Sequence, residues 1–158
     1  AIECLQKAFA IRQNSLPTFH IDSAYSLHWM GRCYYHKGEY DKAIECHQED
    51  LRIRRKAASG DASVPLHEIG LCYFSKRNID KALQYLEEAL EIQRRSPAVD
   101  AETMVKTLKN IAECYRVRRE FSIAVQRLQS AVFIAVEHKL ASQLVSELFS
   151  KIQLYSNA

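Results

Sequence analysis

Residues 108–131 read LKNIAECYRVRREFSIAVQRLQSA, and the spacing of their apolar side chains decides the fold. The first part carries small and apolar residues at intervals of three and four, which are Leu108, Ile111, Ala112 and Tyr115. That spacing places them on one face of a helix. The second part repeats the pattern from Ala124, after a short link that ends at Phe121. The stretch therefore predicts two helices that pack through small and apolar residues.

The same pattern recurs along the chain, and such self-similarity indicates a helical repeat. The alanines that open the second helix of each pair are Ala1, Ala43, Ala82 and Ala124, at intervals of 42, 39 and 42 residues. Twelve residues before the last three stand Gly31, Gly70 and Ala112, and three residues after each of these stand Tyr34, Tyr73 and Tyr115. Because glycine costs about 1 kcal/mol of helix propensity relative to alanine, Gly31 and Gly70 indicate that a side chain would not fit there.

The composition excludes several classes of function. The 158 residues include only 4 Gly and 3 Pro, and no glycine-rich phosphate-binding motif can be written in them. The formal net charge of +3 is far from the strongly basic character of a dedicated nucleic-acid binder. No run approaches the length of a membrane-spanning helix, so no membrane association is expected. The first residues lack the basic start and apolar stretch of a signal peptide, which favours a cytoplasmic protein.

These residues resemble the tetratricopeptide repeat, whose pattern is W-x2-L-G-x2-Y followed by A-x3-F-x2-A. The second full repeat matches this pattern with Leu66, Ile69, Gly70, Tyr73, Ala82, Leu86 and Ala89. The interval of 39 to 42 residues is similar to the long-period type found in kinesin light chains. The resemblance implies an all-α fold, a right-handed superhelical solenoid of paired helices.

The repeat boundaries predict a single array along the whole chain. Its parts are the second helix of a truncated repeat at 1–15, full repeats at 22–56, 62–95 and 99–138, and a C-terminal capping helix at 141–156. A stack of repeats needs its ends covered, and the first half repeat has no partner helix. We therefore expect either a piece of a longer array or self-association through this open N-terminal half repeat.

The resemblance also implies which side chains line the concave groove of the solenoid. They are Tyr25, His28, Arg32 and Tyr35 in the first full repeat, His67, Leu71 and Phe74 in the second, and Lys106, Lys109, Asn110, Glu113 and Arg116 in the third. Such a face is aromatic at one end and basic at the other, which suits a partner peptide with an acidic portion and an apolar anchor. We therefore expect a non-catalytic protein–protein interaction scaffold. The alternative is a structural or self-associating segment of a larger sensor or scaffold protein, without its own peptide pocket.

Catalytic, metal and cofactor sites are not expected. The five cysteines are Cys4, Cys33, Cys46, Cys72 and Cys114, and they fall at equivalent positions of the repeats, which is typical of packing residues. A zinc site made from Cys33, His36, Cys46 and His47 would match no standard ligand spacing. The repeat length also differs from that of helical repeats that read RNA bases, so nucleic acid is not an expected partner.

Two polar features break the repeat pattern. His47 and Asp50 stand where leucine and alanine are expected, and they indicate either a partner contact or a loose helix junction, of which the loose junction is favoured. A basic run at the end of the same helix consists of Arg52, Arg54, Arg55 and Lys56. We interpret these cations as charges that complement the negative end of the helix dipole, rather than as a phosphate site.

Overall fold

A computed structural model describes Lys7 and residues 21–57, 61–96 and 100–157. The helices are α1 (Ile21–His36), α2 (Tyr40–Lys56), α3 (Ser63–Ser75), α4 (Ile79–Arg95), α5 (Ala101–Val117), α6 (Phe121–Glu137) and α7 (Ser142–Ser156). Within these described ranges every regular element is a helix, so the all-α prediction is confirmed. Apart from Lys7, the predicted helix at 1–15 lies outside the described residues.

The repeat positions form the buried side of the helices. The alanines Ala43, Ala82 and Ala124 are fully buried, as are the leucines Leu66, Leu86 and Leu108. Burying one leucine stabilises the folded state by about 1.5–3 kcal/mol. The small residue of each first helix is buried as well, which allows the second helix of the pair to pack closely. The spacing read from the sequence thus places the core correctly.

The turn inside each helix pair has the same backbone conformation. Its central residue has a positive φ, 79° at Gly38, 63° at Arg77 and 63° at Arg119. The next amide donates to the carbonyl of the repeat tyrosine: Glu39 to Tyr34 at 3.0 Å, Asn78 to Tyr73 at 2.9 Å and Glu120 to Tyr115 at 2.9 Å. A left-handed residue followed by this hydrogen bond is a standard way to end a helix, and glycine is the residue that suits it best. Two of the three turns place an arginine there instead.

The chain divides into two compact units within α4, after Tyr85. In the first unit, α2 packs against both α1 and α3. Its core includes one cluster of Ala24, Leu27 and Ile53, and a second of Ala43, Ile44 and Cys72. In the second unit, α6 packs against both α5 and α7. Its fully buried side chains include Val105, Leu108, Ile111, Leu128 and Leu148.

The cysteines of the described residues are free thiols in packing positions. Cys72 and Cys114 are buried, and Cys33 and Cys46 are partly buried, whereas Cys4 lies outside the described residues. Burial raises the pKa of both Cys72 and Cys114 to about 12, so these thiols stay protonated at neutral pH. A protonated, buried thiol behaves as a small apolar side chain.

None of the described helices is both long enough and apolar enough to cross a membrane.

Candidate functional site

Two aromatic side chains of α1 stand half exposed on the surface of the first unit. Tyr25 and Trp29 each keep 51% of their accessible surface, and the interval of four residues places them on one helix face. The Arg54 guanidinium lies 5.2 Å from the centre of the Tyr25 ring, and that of Arg32 lies 5.1 Å from the Trp29 ring. Cations over aromatic rings attract them and restrict their motion. We call Tyr25 and Trp29 the aromatic face.

The remaining predicted residues of the first unit are partly buried beside the aromatic face or on α3. They are His28, Arg32 and Tyr35 on α1, and His67, Leu71 and Phe74 on α3. The Tyr35 hydroxyl and the Ser75 hydroxyl share a hydrogen bond of 3.0 Å, which joins the ends of α1 and α3. The side chains of α1 and α3 that were predicted to act together therefore lie on neighbouring elements of one compact unit.

The repeat pattern of the sequence does not identify Trp29 as a site residue. It is the single tryptophan of the chain, and it follows Tyr25 by four residues. Most side chains of α1 are buried or partly buried, whereas the Trp29 ring keeps half of its accessible surface exposed. An exposed aromatic side chain of this size indicates a contact surface. That interval was available from the sequence, but the exposure of the ring was not.

The charged residues of α5 are engaged within the second unit. Lys106 pairs with Glu102 at 2.8 Å, and Lys109 pairs with Glu147 of α7 at 2.7 Å. Arg116 pairs with Glu113 at 2.7 Å. Asn110 is partly buried on the same helix.

Glu113 is the centre of the network between α5 and α7. Its Oε1 accepts hydrogen bonds from the Lys151 ammonium at 2.7 Å and from the Tyr155 hydroxyl at 2.5 Å. Burial alone would raise the pKa of Glu113, but the hydrogen bonds from Lys151, Tyr155 and Arg116 together lower that pKa to about 2. The carboxylate therefore stays ionised and holds α7 against α5.

These pairs change what the basic side chains of α5 can do. Lys106, Lys109 and Arg116 are not free cations, since each already faces a carboxylate of its own unit. A partner carboxylate would have to compete with those internal partners. The sequence pattern shows three basic residues on one helix face, but it does not show which carboxylates of α5 and α7 face them.

A polar cluster lies buried between α1 and α2 in the first unit. His47 and Asp50 of α2 are both completely buried, and His28 of α1 lies beside them, its ring centre 5.8 Å from that of His47. Asp50 accepts a hydrogen bond through Oδ1 from Nε of Arg54 at 2.5 Å. Within the described part of the chain, several buried polar atoms of these side chains have no hydrogen-bond partner: Nδ1 of His28, both ring nitrogens of His47 and Oδ2 of Asp50.

The environment of the cluster sets its protonation. Burial, together with the charges of Arg32 and Arg54, lowers the pKa of His28 to about 4. Burial also lowers the pKa of His47 to about 3, so both imidazoles are neutral at pH 7. Burial raises the pKa of Asp50 to about 6 against the opposing effect of Arg54, which leaves Asp50 mostly ionised at pH 7. The cluster therefore presents two neutral imidazoles and one carboxylate.

One interpretation made from the sequence is wrong here. The junction at His47 is tight rather than loose, because a Cβ placed on Gly31 would lie 2.5 Å from the His47 ring. Arg54, Arg55 and Lys56 lie in the last turn of α2, where cations complement the helix dipole, and Arg54 is in addition buried and paired with Asp50. Arg52 does lie at the surface, where it pairs with Glu49. The helical spacing did not reveal that Asp50 and Arg54 point into the helix pair together.

Comparison with known proteins identifies the type of repeat. The family model for the tetratricopeptide repeat matches residues 1–56 and 61–135. No protein with a curated description matches the sequence significantly.

Solved structures share the fold at low sequence identity. The chain is similar to a protein from Podosopora anserina described as a kinesin light chain with nearly identical TPR-like repeats, at 20% identity and a TM-score of 0.72, over 98% of this chain and 85% of that one. It is also similar to the apo form of RapI, at 20% identity and a TM-score of 0.80, over 99% of this chain and 58% of that one. Aspartyl phosphate phosphatase F from Bacillus subtilis matches at 15% identity and a TM-score of 0.78, over 99% of this chain and 45% of that one. These similarities confirm the predicted long-period repeat fold.

Proposed function

Because this chain belongs to the tetratricopeptide repeat family, we propose that it is a non-catalytic scaffold that binds a peptide segment of a partner protein. Helical-repeat proteins present extended surfaces that suit protein partners. The observation that carries the proposal is the aromatic face of α1, where Tyr25 and Trp29 each keep half of their surface exposed.

The aromatic face has the properties of an anchor for a partner side chain. Tyrosine and tryptophan are enriched among the residues that dominate the free energy of protein association. The cations Arg54 and Arg32 lie against the two rings and reduce their freedom before binding. A ring that is already ordered loses less entropy when a partner covers it. The face therefore supports binding by an apolar side chain laid across Tyr25 and Trp29.

Charge near the aromatic face suggests the rest of the partner's chemistry. Arg32 lies partly buried on α1 beside Trp29, and its guanidinium can donate to a carboxylate at the edge of the ring. We therefore propose a peptide with an apolar or aromatic anchor followed by an acidic residue. The basic residues of α5 contribute less to this binding than Arg32 does. Their internal ion pairs weaken any additional attraction to an acidic peptide.

A structural or self-associating role is the second candidate, and exposed apolar side chains of the second unit support it. These are Phe133 at 68%, Val136 at 59%, Phe149 at 56% and Leu154 at 66% of their accessible surface. Single exposed apolar residues are ordinary, but four on two packed helices favour a contact with another molecule. The self-association predicted through the N-terminal half repeat concerns residues outside those described.

Affinity capture with two matched variants separates these candidates. Immobilised parent protein, the Tyr25→Ala/Trp29→Ala variant and the Phe133→Ala/Phe149→Ala variant are compared for the proteins they retain from a cell extract. The proposal expects a protein that the parent and the phenylalanine variant retain and that the aromatic-face variant loses. Retention of the same proteins by all three would contradict the proposal. The second candidate predicts a change of molar mass in light scattering with the phenylalanine variant alone.

A further inference from the structure

The polar cluster between α1 and α2 contains three potential metal ligands. His28, His47 and Asp50 each offer one donor atom, and these donor atoms all lie within 4.8 Å of one another. His47 and Asp50 are three residues apart on α2, an interval that places two side chains on the same helix face. His28 reaches the same point from α1. We propose that these three residues bind a divalent transition-metal ion, with zinc as the ion that the donor set suits best.

The donor set is one that zinc uses in proteins. Two imidazole nitrogens and one carboxylate oxygen are common zinc ligands, with a fourth position filled by water or another donor. Zinc binds the neutral form of histidine. Donors around a tetrahedral zinc ion lie about 3.3 Å apart for bonds of about 2.0 Å. The donor atoms of His28, His47 and Asp50 lie within 4.8 Å of one another, so they must approach one another by up to about 1.5 Å to hold the ion.

The unpartnered atoms of the cluster are the second observation that points to a ligand. Both nitrogens of His47 and Oδ2 of Asp50 are buried, and the described side chains provide no hydrogen-bond partner for any of them. A buried polar atom without a partner costs about 1–3 kcal/mol, so proteins rarely keep several of them together. A metal ion bound here would satisfy one nitrogen of His47 and the free oxygen of Asp50 at once.

A hydrogen bond from Arg54 orients one ligand of the cluster. Arg54 donates to Oδ1 of Asp50, which leaves Oδ2 as the available ligand and fixes the orientation of the carboxylate. Such hydrogen bonds from outside a metal site commonly orient the ligands.

Gly31 makes room for this arrangement. The ring of His47 occupies the space where a Cβ of residue 31 would stand, at a distance of 2.5 Å. Leucine at 47 and alanine at 50, the residues that the repeat favours, would pack apolar groups here instead. A metal held by α1 and α2 together would cross-link the helix pair that carries the aromatic face. This inference departs from the sequence expectation that the chain binds no metal.

The test uses the whole chain with its metal removed by a chelator. Zinc is titrated by calorimetry with thiols kept reduced, and the melting temperature is measured with and without zinc. The proposal expects one zinc ion per chain and a higher melting temperature. His47→Leu restores a residue typical of the repeat and is expected to fold, whereas Asp50→Ala also leaves the buried Arg54 without its partner and is expected to be less stable. Each should bind zinc at least about 100-fold more weakly than the parent.

Cysteine variants provide the matched control. Cys33→Ala and Cys46→Ala remove thiols of the same helix pair, and they should leave zinc affinity unchanged. Cobalt in place of zinc should give visible absorption bands without the intense near-ultraviolet band of thiolate ligation. His28→Gln provides a third ligand variant at a partly exposed position, should either buried substitution disturb folding. The proposal is overturned if the parent binds no zinc, if all three ligand variants keep the parent affinity, or if the cysteine variants abolish binding.

Discussion

The imidazole of His47 lies directly against the backbone of Gly31, so close that a Cβ on residue 31 would be 2.5 Å from both Cε1 and Nε2. His47 is completely buried, so its ring has no solvent-exposed position to move into. The absence of a side chain at Gly31 of α1 therefore makes the space that the His47 ring of α2 fills. This relationship explains why a helix interior tolerates glycine at a position where alanine would favour the helix.

Gly31→Ala tests this close contact between residue 31 and the His47 ring. We expect a net loss of roughly 1–2 kcal/mol in the free energy of unfolding, because overpacking outweighs the gain in helix propensity. Urea denaturation followed by circular dichroism measures the change. In a His47→Ala background the added methyl group has space, and Gly31→Ala should then be neutral or stabilising by up to about 1 kcal/mol. An equal loss in both backgrounds would show that the ring does not restrict residue 31.

The turn arginines predict a stabilising substitution. Arg119 has a φ of 63°, a conformation that costs a residue with a side chain about 1–2 kcal/mol relative to glycine. Arg119→Gly should therefore raise the melting temperature by about 2–4 °C, the shift that 1 kcal/mol produces in a protein of this size. Arg118→Gly is the control, because Arg118 has a φ of −76° and gains no relief. A rise in both variants, or in neither, would argue against backbone strain at this turn.

Glu113 makes stability depend on pH. Its pKa falls from 4.5 to about 2 through the hydrogen bonds that oppose its burial. Because the folded pKa lies below the unfolded one, this stabilisation is fully present above pH 4.5 and is lost as the pH falls towards 2. Glu113→Gln should cost about 1.5–3 kcal/mol at pH 7 and much less at low pH.

Urea denaturation at pH 7 and pH 3 measures the contribution of Glu113. The matched control is Glu147→Gln, since the pair of Glu147 with Lys109 is more exposed and should contribute less at either pH. A loss that is the same at both pH values would mean that the ionised form of Glu113 does not stabilise the contact between α5 and α7.

Much of the fold can be predicted from the sequence because it depends on local spacing. The intervals of Leu108, Ile111 and Ala112 identify one helix face without reference to any other helix. The positive φ at Arg77 could not be foreseen from that residue alone, since arginine is not typical of a left-handed turn. It follows only when Arg77 is aligned with Gly38 of the preceding repeat.

The side-chain partners at the candidate site could not be predicted in the same way. Whether Lys109 faces solvent or Glu147 depends on how α5 and α7 are positioned against each other, which the one-dimensional pattern does not specify. The same holds for His28 and His47, whose rings meet only because α1 and α2 pack at one particular register. Helical spacing shows which residues share a face, and packing decides what that face contacts.

The affinity of a captured partner's peptide for the parent protein and for Trp29→Ala tests the central claim most directly. Fluorescence anisotropy with a labelled peptide gives both dissociation constants, and Phe133→Ala serves as the exposed aromatic control in the second unit. If the aromatic face of α1 anchors the partner, Trp29→Ala should weaken binding by about 30-fold or more, which is a loss of about 2 kcal/mol, while Phe133→Ala binds as the parent does. Equal affinity of the parent and Trp29→Ala would contradict the account.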